Sequence, residues 1–105
     1  MDNFKVIYKI LRYLEKNMGN DRFDIESVSA ERMNISFERW EQLLIMMQDE
    51  GYIKGLVLSN GLSSIYRHIT EPIRPQITIK GLEYLAENSL MGRAKEALKM
   101  AGEIL

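Results

Sequence analysis

Apolar residues recur at spacings of three and four near the start of the chain, and this pattern predicts an amphipathic helix over residues 3–17. Two apolar rows on this helix indicate two packing partners, so we expect it to be central and to end at Gly19. The main predicted stripe consists of Phe4, Ile7, Leu11, Leu14 and Met18. The second row consists of Val6, Ile10 and Tyr13.

The next stretch of the pattern predicts a short extended piece over residues 23–25, a short helix over 26–33 and a longer helix over 37–50. Ser36 precedes the longer helix and can accept hydrogen bonds from its first free amides, while Gly51 marks its end. The buried stripe of this helix is predicted to consist of Trp40, Leu43, Leu44 and Met47.

A β-hairpin, the wing, is predicted over about residues 52–70. Its two strands, 52–58 and 64–70, are rich in apolar and β-branched residues. Between them lies Asn60-Gly61, the strongest short signal for a tight hairpin turn.

Two helices are predicted to follow the wing. Pro72 and Pro75 stop its second strand, and Thr78 can then cap a helix over about residues 78–88. A further amphipathic pattern predicts a last helix over residues 92–105. The apolar row of that last helix consists of Ala94, Ala97, Leu98, Ala101 and Leu105.

The predicted order of elements is helix, short strand, helix, helix, hairpin, helix and helix. This is the order of a winged helix-turn-helix with two C-terminal helices. We therefore expect a single α+β domain, mostly α, over residues 1–105. A chain of 105 residues, 46% hydrophobic and 28% charged, is large enough to bury a core without disulfides or metal.

The composition argues against catalysis. The chain has no cysteine, which excludes a disulfide framework, a thiolate zinc site and a cysteine nucleophile. Its single histidine, His68, has no acidic residue nearby at a zinc-ligand spacing. No serine lies in a nucleophile-elbow pattern, and the glycines form no phosphate-binding loop. We therefore expect no enzyme activity, no cofactor, no metal site and no small-molecule substrate.

The first residues lack the apolar run of a signal peptide, and no apolar stretch approaches the roughly 20 residues of a membrane helix. We expect a cytoplasmic protein without a membrane partner. The net charge of −1 gives no overall attraction to DNA. The charge is unevenly distributed, because residues 51–82 carry four cations against one carboxylate, whereas residues 36–50 carry one cation against four carboxylates.

Four short motifs follow one another along nearly the whole chain: Ile35-Ser36 with Arg39-Trp40, then DEGYI at 49–53, ITIKGLEYL at 77–85 and ENSLM at 87–91. In this combination the chain resembles the YjcQ-like proteins, small winged-helix proteins of Gram-positive bacteria and their prophages. The resemblance implies a fold and a genomic setting. It implies no activity and no site residues, because that family has no agreed biochemical role.

The predicted helix 37–50 takes the place of the recognition helix, which enters the major groove in helix-turn-helix proteins. Arg39 and Gln42 have the chemistry to read guanine and adenine edges, and Ser36 can bond a phosphate. The balance of charges favours the alternative of a solvated face over a buried stripe. The carboxylates that repel phosphates unless they point away are Glu38, Glu41, Asp49 and Glu50.

In the predicted wing, a two-residue turn sets Lys54 roughly opposite Arg67, with His68 and Arg74 close in sequence. Like charges directly opposed are mildly destabilising, and a phosphate between them relieves the repulsion. We interpret these four residues as candidate nucleic-acid contacts, with simple solvent exposure as an equally weighted alternative. The interpretation depends on the register, because a slip of one residue moves side chains to the other face.

Two functions remain open. The first is a DNA-binding winged-helix protein, a small transcriptional regulator of prophage type that contacts double-stranded DNA through the wing and helix 37–50. The second is a winged-helix protein-interaction module that does not bind DNA, which the near-neutral net charge favours. The apolar row of the last helix can pack onto the first helix or pair with its own copy, and we favour a homodimer through it.

Overall fold

The computed structural model describes residues 1–62 and 64–89, which form a small α+β fold that is mostly helical, as expected. Its helices are α1 (Asn3–Lys16), a 3₁₀ turn (Ile25–Val28), α2 (Phe37–Asp49) and α3, which covers residues 79–89. Its strands are β1 (Ile53–Lys54), β2 (Val57–Asn60), β3 (Arg67–Thr70) and β4 (Gln76–Ile77). The helix predicted over 92–105, with its apolar row, lies outside the described residues.

Helix α1 is the central element, as its two apolar rows predicted. It packs against α2, β4 and the 3₁₀ turn, and the Asp2 side chain caps it by accepting a hydrogen bond from the Lys5 amide at 2.9 Å. The prediction that Phe4 and Met18 face inward is wrong, because both are exposed. The row predicted as secondary supplies much of the core contact, and the buried residues of α1 are Val6, Ile10, Leu11 and Leu14.

Helix α2 begins and packs as its sequence predicted. The Ser36 hydroxyl accepts a hydrogen bond from the Arg39 amide at 3.2 Å, which confirms the predicted cap. The indole N–H of Trp40 donates to the Val28 carbonyl at 2.9 Å and so ties α2 to the 3₁₀ turn. All four residues of the predicted stripe are buried: Trp40, Leu43, Leu44 and Met47.

The segment between α1 and α2 differs from its prediction. Residues 23–25 form no strand, and the expected helix over 26–33 is the short 3₁₀ turn followed by turns. The phenol of Tyr13 holds this segment, because it donates to the Asp24 carbonyl at 2.7 Å and accepts from the Asp24 amide at 2.9 Å. The Tyr13 side chain therefore forms the hydrogen bonds with the Asp24 backbone that a neighbouring strand would otherwise form.

The hairpin predicted over residues 52–70 is shorter than expected, because its first residues pair with a different strand. β1 pairs with β4, and β2 pairs with β3 in a register that sets Leu58 opposite Ile69 and Asn60 opposite Arg67. The predicted two-residue turn at Asn60-Gly61 is wrong, because Asn60 is itself paired with Arg67 in the ladder.

Gly55 separates β1 from β2 and explains why residues 52–58 are not one strand. Its φ of +95° lies in the left-handed region, a backbone conformation that residues with a Cβ rarely adopt. The next residue, Leu56, has its amide and carbonyl bonded to the Gln48 side chain at 2.8 and 3.1 Å instead of a strand partner. The chain therefore bends at Gly55 and starts a new strand at Val57.

Thr78 caps α3, as predicted. Its hydroxyl accepts a hydrogen bond from the Gly81 amide at 3.1 Å and donates to the Gly51 carbonyl, while its own amide donates to the Tyr52 carbonyl at 3.1 Å. These bonds join the start of α3 to the end of α2. Leu85 is buried, and Leu82 is partly buried against the core, as their spacing predicted.

No helix among residues 1–62 and 64–89 is both long enough and apolar enough to cross a membrane.

Replacing Gly81 by alanine tests the junction between α2 and α3. A Cβ at this position would overlap the Tyr52 carbonyl oxygen and lie 2.7 Å from Cγ1 of Ile77. Because backbone must shift to admit it, we expect Gly81→Ala to lower the free energy of unfolding by roughly 1–3 kcal/mol in a urea titration. Gly61→Ala, where the nearest atom is a Ser64 side-chain carbon at 3.4 Å, serves as the control. Equal stabilities of the two variants would contradict this packing.

Candidate nucleic-acid interface

A buried carboxylate on α2 holds the hairpin formed by β2 and β3. Glu41 is 5% exposed; its Oε2 accepts a hydrogen bond from the Ile69 amide at 3.0 Å, and its Oε1 lies 2.9 Å from Nδ1 of His68. A buried backbone N–H needs a partner, and a charged acceptor makes a strong one. Glu41 therefore fixes β3 against α2 at the strand position that faces the core.

Two glutamines extend this attachment along α2. Gln42 donates to the Arg67 carbonyl at 2.9 Å, next to the residues that Glu41 holds. Six residues further on, Gln48 bonds both backbone groups of Leu56, just before β2 begins. Three polar side chains of one helix thus satisfy backbone groups at both ends of the hairpin, and α2 and the hairpin present one continuous surface.

Arg67 is paired with Asp49. Its guanidinium donates to both carboxylate oxygens, one of them at 3.1 Å, and about half of each side chain is exposed. The hydrogen bond from Arg67 lowers the pKa of the Asp49 carboxyl, and the same bond raises the pKa of Arg67. Since the folded-state pKa of Asp49 is lowered, the pair is complete at neutral pH and is lost as the pH falls through that folded value.

His68 bridges α2 and the loop that joins β2 to β3. Its Nδ1 contacts Glu41, and its Nε2 lies 3.2 Å from the Ser64 hydroxyl, which also bonds the backbone of Tyr66. The side chain is about half exposed. Its ring nitrogens therefore act first within the protein, as anchors of the loop.

Ser36 and Arg39 lie at the beginning of α2. The Ser36 hydroxyl is used as the helix cap. Arg39 is exposed, but its guanidinium donates to the Asn3 side chain at 2.7 Å and to the Met1 carbonyl at 2.9 Å. Arg39 is therefore positioned at the start of α1 by two neutral acceptors.

Lys54 and Arg74 lie apart from the other candidates. The prediction that Lys54 opposes Arg67 is wrong, because the observed register pairs Lys54 with Gln76. Arg74 donates to the Asp21 carbonyl at 2.6 Å, and its guanidinium lies 4.6 Å from the ring centre of Phe23. The structure brings together Gln42, Arg67 and His68 and leaves these two cations elsewhere.

Two carboxylates that the sequence predicts only to repel phosphate, Glu41 and Asp49, organise this region. Glu41 is buried and Asp49 is neutralised by Arg67, so neither presents the bare charge that their positions suggested. A usable signal existed in the spacing, because Glu41, Ile45 and Gln48 form a row of their own beside the Trp40 stripe. Because Ile45 lies between Glu41 and Gln48 on this row, the two polar side chains are expected to face another part of the chain and to form hydrogen bonds with it.

We use the name α2–hairpin face for Ser36, Arg39, Gln42, Arg67 and His68. Within the described ranges, no three histidine, aspartate or glutamate side chains are grouped so that they could hold a metal ion. The chemistry that this face offers is that of hydrogen-bond donors and guanidinium groups, which suits phosphates and base edges.

A family model described as YjcQ protein matches residues 8–104, which is nearly the whole chain. The chain belongs to the YjcQ family. The resemblance found in the sequence motifs is thereby confirmed. No curated protein and no solved structure matched this YjcQ-family chain.

Removing the buried carboxylate tests how the YjcQ chain holds its hairpin. Glu41→Ala leaves the Ile69 amide buried without a partner, so we expect a loss of about 1–3 kcal/mol in the free energy of unfolding. Glu41→Gln keeps one acceptor oxygen, so its free energy of unfolding should fall by less than that of Glu41→Ala. The exposed Glu83 of α3 provides the control, and Glu83→Ala should stay within about 0.5 kcal/mol of the wild type in urea unfolding. Equal effects at the two positions would refute the role of Glu41.

Proposed function

We propose that this YjcQ-family chain is a winged-helix protein that binds double-stranded DNA through the α2–hairpin face and acts as a small cytoplasmic regulator in a prophage-type setting. The observation that carries the proposal is the attachment of the hairpin to α2 through Glu41, Gln42 and Gln48. A helix and a hairpin held as one unit, after a short helical turn, match the recognition helix and wing that dock on a duplex. No catalysis is part of this proposal.

The chemistry of the face supports a duplex as its ligand. Arg39 and Gln42 are three residues apart on α2, at the spacing that places two side chains on one side of a helix. Their groups match guanine and adenine edges, respectively. Arg67 is available on the hairpin, because an exposed ion pair is weak in water and a phosphate can replace the Asp49 carboxylate.

Freeing Arg67 from its partner gives the sharpest test of this site. Asp49→Asn removes a negative charge from the face and releases the guanidinium, so we expect tighter binding to a labelled random duplex in fluorescence anisotropy. Glu83→Gln makes the same charge change on the exposed surface of α3 and is the matched control. An Asp49→Asn affinity no higher than that of the control would contradict Arg67 as a contact.

Alanine variants distinguish Arg67 from Lys54, the cation that the sequence predicts to lie opposite it. Arg67→Ala should weaken duplex binding and reduce by about one the slope of log affinity against log salt, as expected for one lost phosphate contact. Lys54→Ala should have a smaller effect, because Lys54 lies in the other pair of strands. Duplex binding that does not fall between about 50 and 200 mM salt would rule out the electrostatic part of the proposal.

A second candidate function is a protein-interaction module that does not bind DNA. It is favoured by two exposed apolar side chains on α2, Phe37 at 51% and Met46 at 56%, which stand among carboxylates such as Glu38 and Glu50. Nine residues separate Phe37 from Met46, so the two lie on opposite sides of α2. Each is a single apolar anchor with a carboxylate nearby, which suits a basic protein partner better than phosphate. Absence of duplex binding at low salt, even for Asp49→Asn, would favour this function.

Homodimerisation through residues 92–105 stays a prediction. Sedimentation of the full chain over a range of concentrations tests it, because a dimer would show a concentration-dependent mass.

A further inference from the structure

The outer side of α1 carries a row of four cations, which we call the α1 cationic row: Lys5, Lys9, Arg12 and Lys16. Their spacings of four, three and four place them on one side of the helix, opposite the buried Val6, Ile10 and Leu14. All four are exposed. Within the described part of the chain, the only ion pair in the row joins Arg12 to Glu15 at 2.7 Å.

This arrangement does not favour the helix itself. Like charges three or four residues apart on a helix repel one another, and the row contains three such neighbouring pairs. A helix face that serves only solubility normally mixes charges of both signs. Here the cations are concentrated, because residues 1–17 hold four cations and two carboxylates in a chain whose net charge is −1. The repulsion along the row is relieved when a polyanion lies on it.

Aromatic side chains border the row on one side. Phe4 is 73% exposed, and Tyr8 is partly buried one turn further along α1. Together with Asp2, Lys5, Lys9 and Asn88 they line a shallow concavity. The Asp2 carboxylate in this lining caps α1 by accepting from the Lys5 amide, so the cations of the concavity outnumber its carboxylate by two to one. Proteins that hold single strands combine cations along the backbone with aromatic rings on which bases stack.

From this geometry we propose that the α1 cationic row binds a single-stranded nucleic acid, with phosphates on Lys5, Lys9 and Lys16 and a base on Phe4. The row spans about 16 Å at the rise of an α-helix, which is long enough to follow several nucleotides. A membrane fits less well, because the apolar side of α1 is buried in the core and is not available for insertion. Residues 90–105 carry three cations and two carboxylates, so their charge does not complement the row.

This site is distinct from the α2–hairpin face. The row lies on the side of α1 opposite the buried residues, and the buried side is the one that packs against α2. The proposal therefore does not rest on duplex binding, and either site can fail alone.

The test is fluorescence anisotropy of the full chain with labelled oligo-dT and oligo-U of about 20 nucleotides, from about 50 to 200 mM salt. We expect Lys5→Gln/Lys9→Gln/Lys16→Gln to bind at least about tenfold more weakly at the low salt, with a salt slope reduced by about two. The matched control is Arg22→Gln/Arg32→Gln/Lys80→Gln, which removes three exposed cations elsewhere. Phe4→Ala should also weaken binding, whereas Ile79→Ala, at another exposed apolar residue, should not.

The thermal midpoint distinguishes lost binding from lost structure. Because the triple variant removes repulsion along α1, its midpoint should equal or exceed that of the wild type. Retained binding by the triple variant, or an equal loss in the matched control, would overturn the proposal. Binding to anionic phospholipid vesicles but not to either oligonucleotide would overturn it as well. Arg67→Ala should weaken duplex binding more than oligo-dT binding, and the triple variant of the α1 cationic row should do the reverse, which keeps the two results separate.

Discussion

The hydrogen bond from the Ile69 amide to the buried carboxylate of Glu41 is the contact on which the rest of the surface depends. The two strands that it fixes have only four residues each, and a two-stranded hairpin of this length is marginal by itself in water. The hairpin takes its position from α2, through Glu41 and Gln48 near its open end and Gln42 at the end next to the connecting loop. At each of these points, a polar side chain forms a hydrogen bond with a backbone N–H or C=O group that a further strand would otherwise pair.

Hydrogen bonds within the protein also decide which cationic side chains can bind a ligand without losing another partner. Arg39 and Arg67 are both occupied within the α2–hairpin face, by neutral acceptors in one case and by Asp49 in the other. A phosphate that binds Arg39 or Arg67 replaces an acceptor already present. The net gain in binding free energy is therefore small and depends on which acceptor is replaced. On α1 the balance differs, because Lys5 and Lys9 repel each other and gain from any anion that approaches. The two surfaces therefore differ: the arginines of the α2–hairpin face already have acceptors, whereas the lysines of α1 repel one another.

The parts of the fold that depend on local chemistry were predictable from the sequence. Ser36 and Thr78 cap the helices that follow them, and the stripe of α2 is buried, because a cap and a helical period need only neighbours within one turn. The strand register was not predictable, because the bend at Gly55 and the bonds of Gln48 to Leu56 depend on distant backbone. The internal pairing of Arg67 required the tertiary fold for the same reason. On α1, the sequence offers two apolar rows, and tertiary packing decides that Val6 is buried and Phe4 exposed.

Amide hydrogen exchange of Ile69, followed by NMR, tests the central claim that α2 carries the hairpin. If the Glu41 carboxylate holds this amide, its protection should approach that of the buried amides of α2 and should fall sharply in Glu41→Ala, while the fold persists. An Ile69 amide that exchanges in the wild type as fast as the amides of residues 64–66, between the two strands, would contradict the claim, because the hairpin would then open independently of the helix.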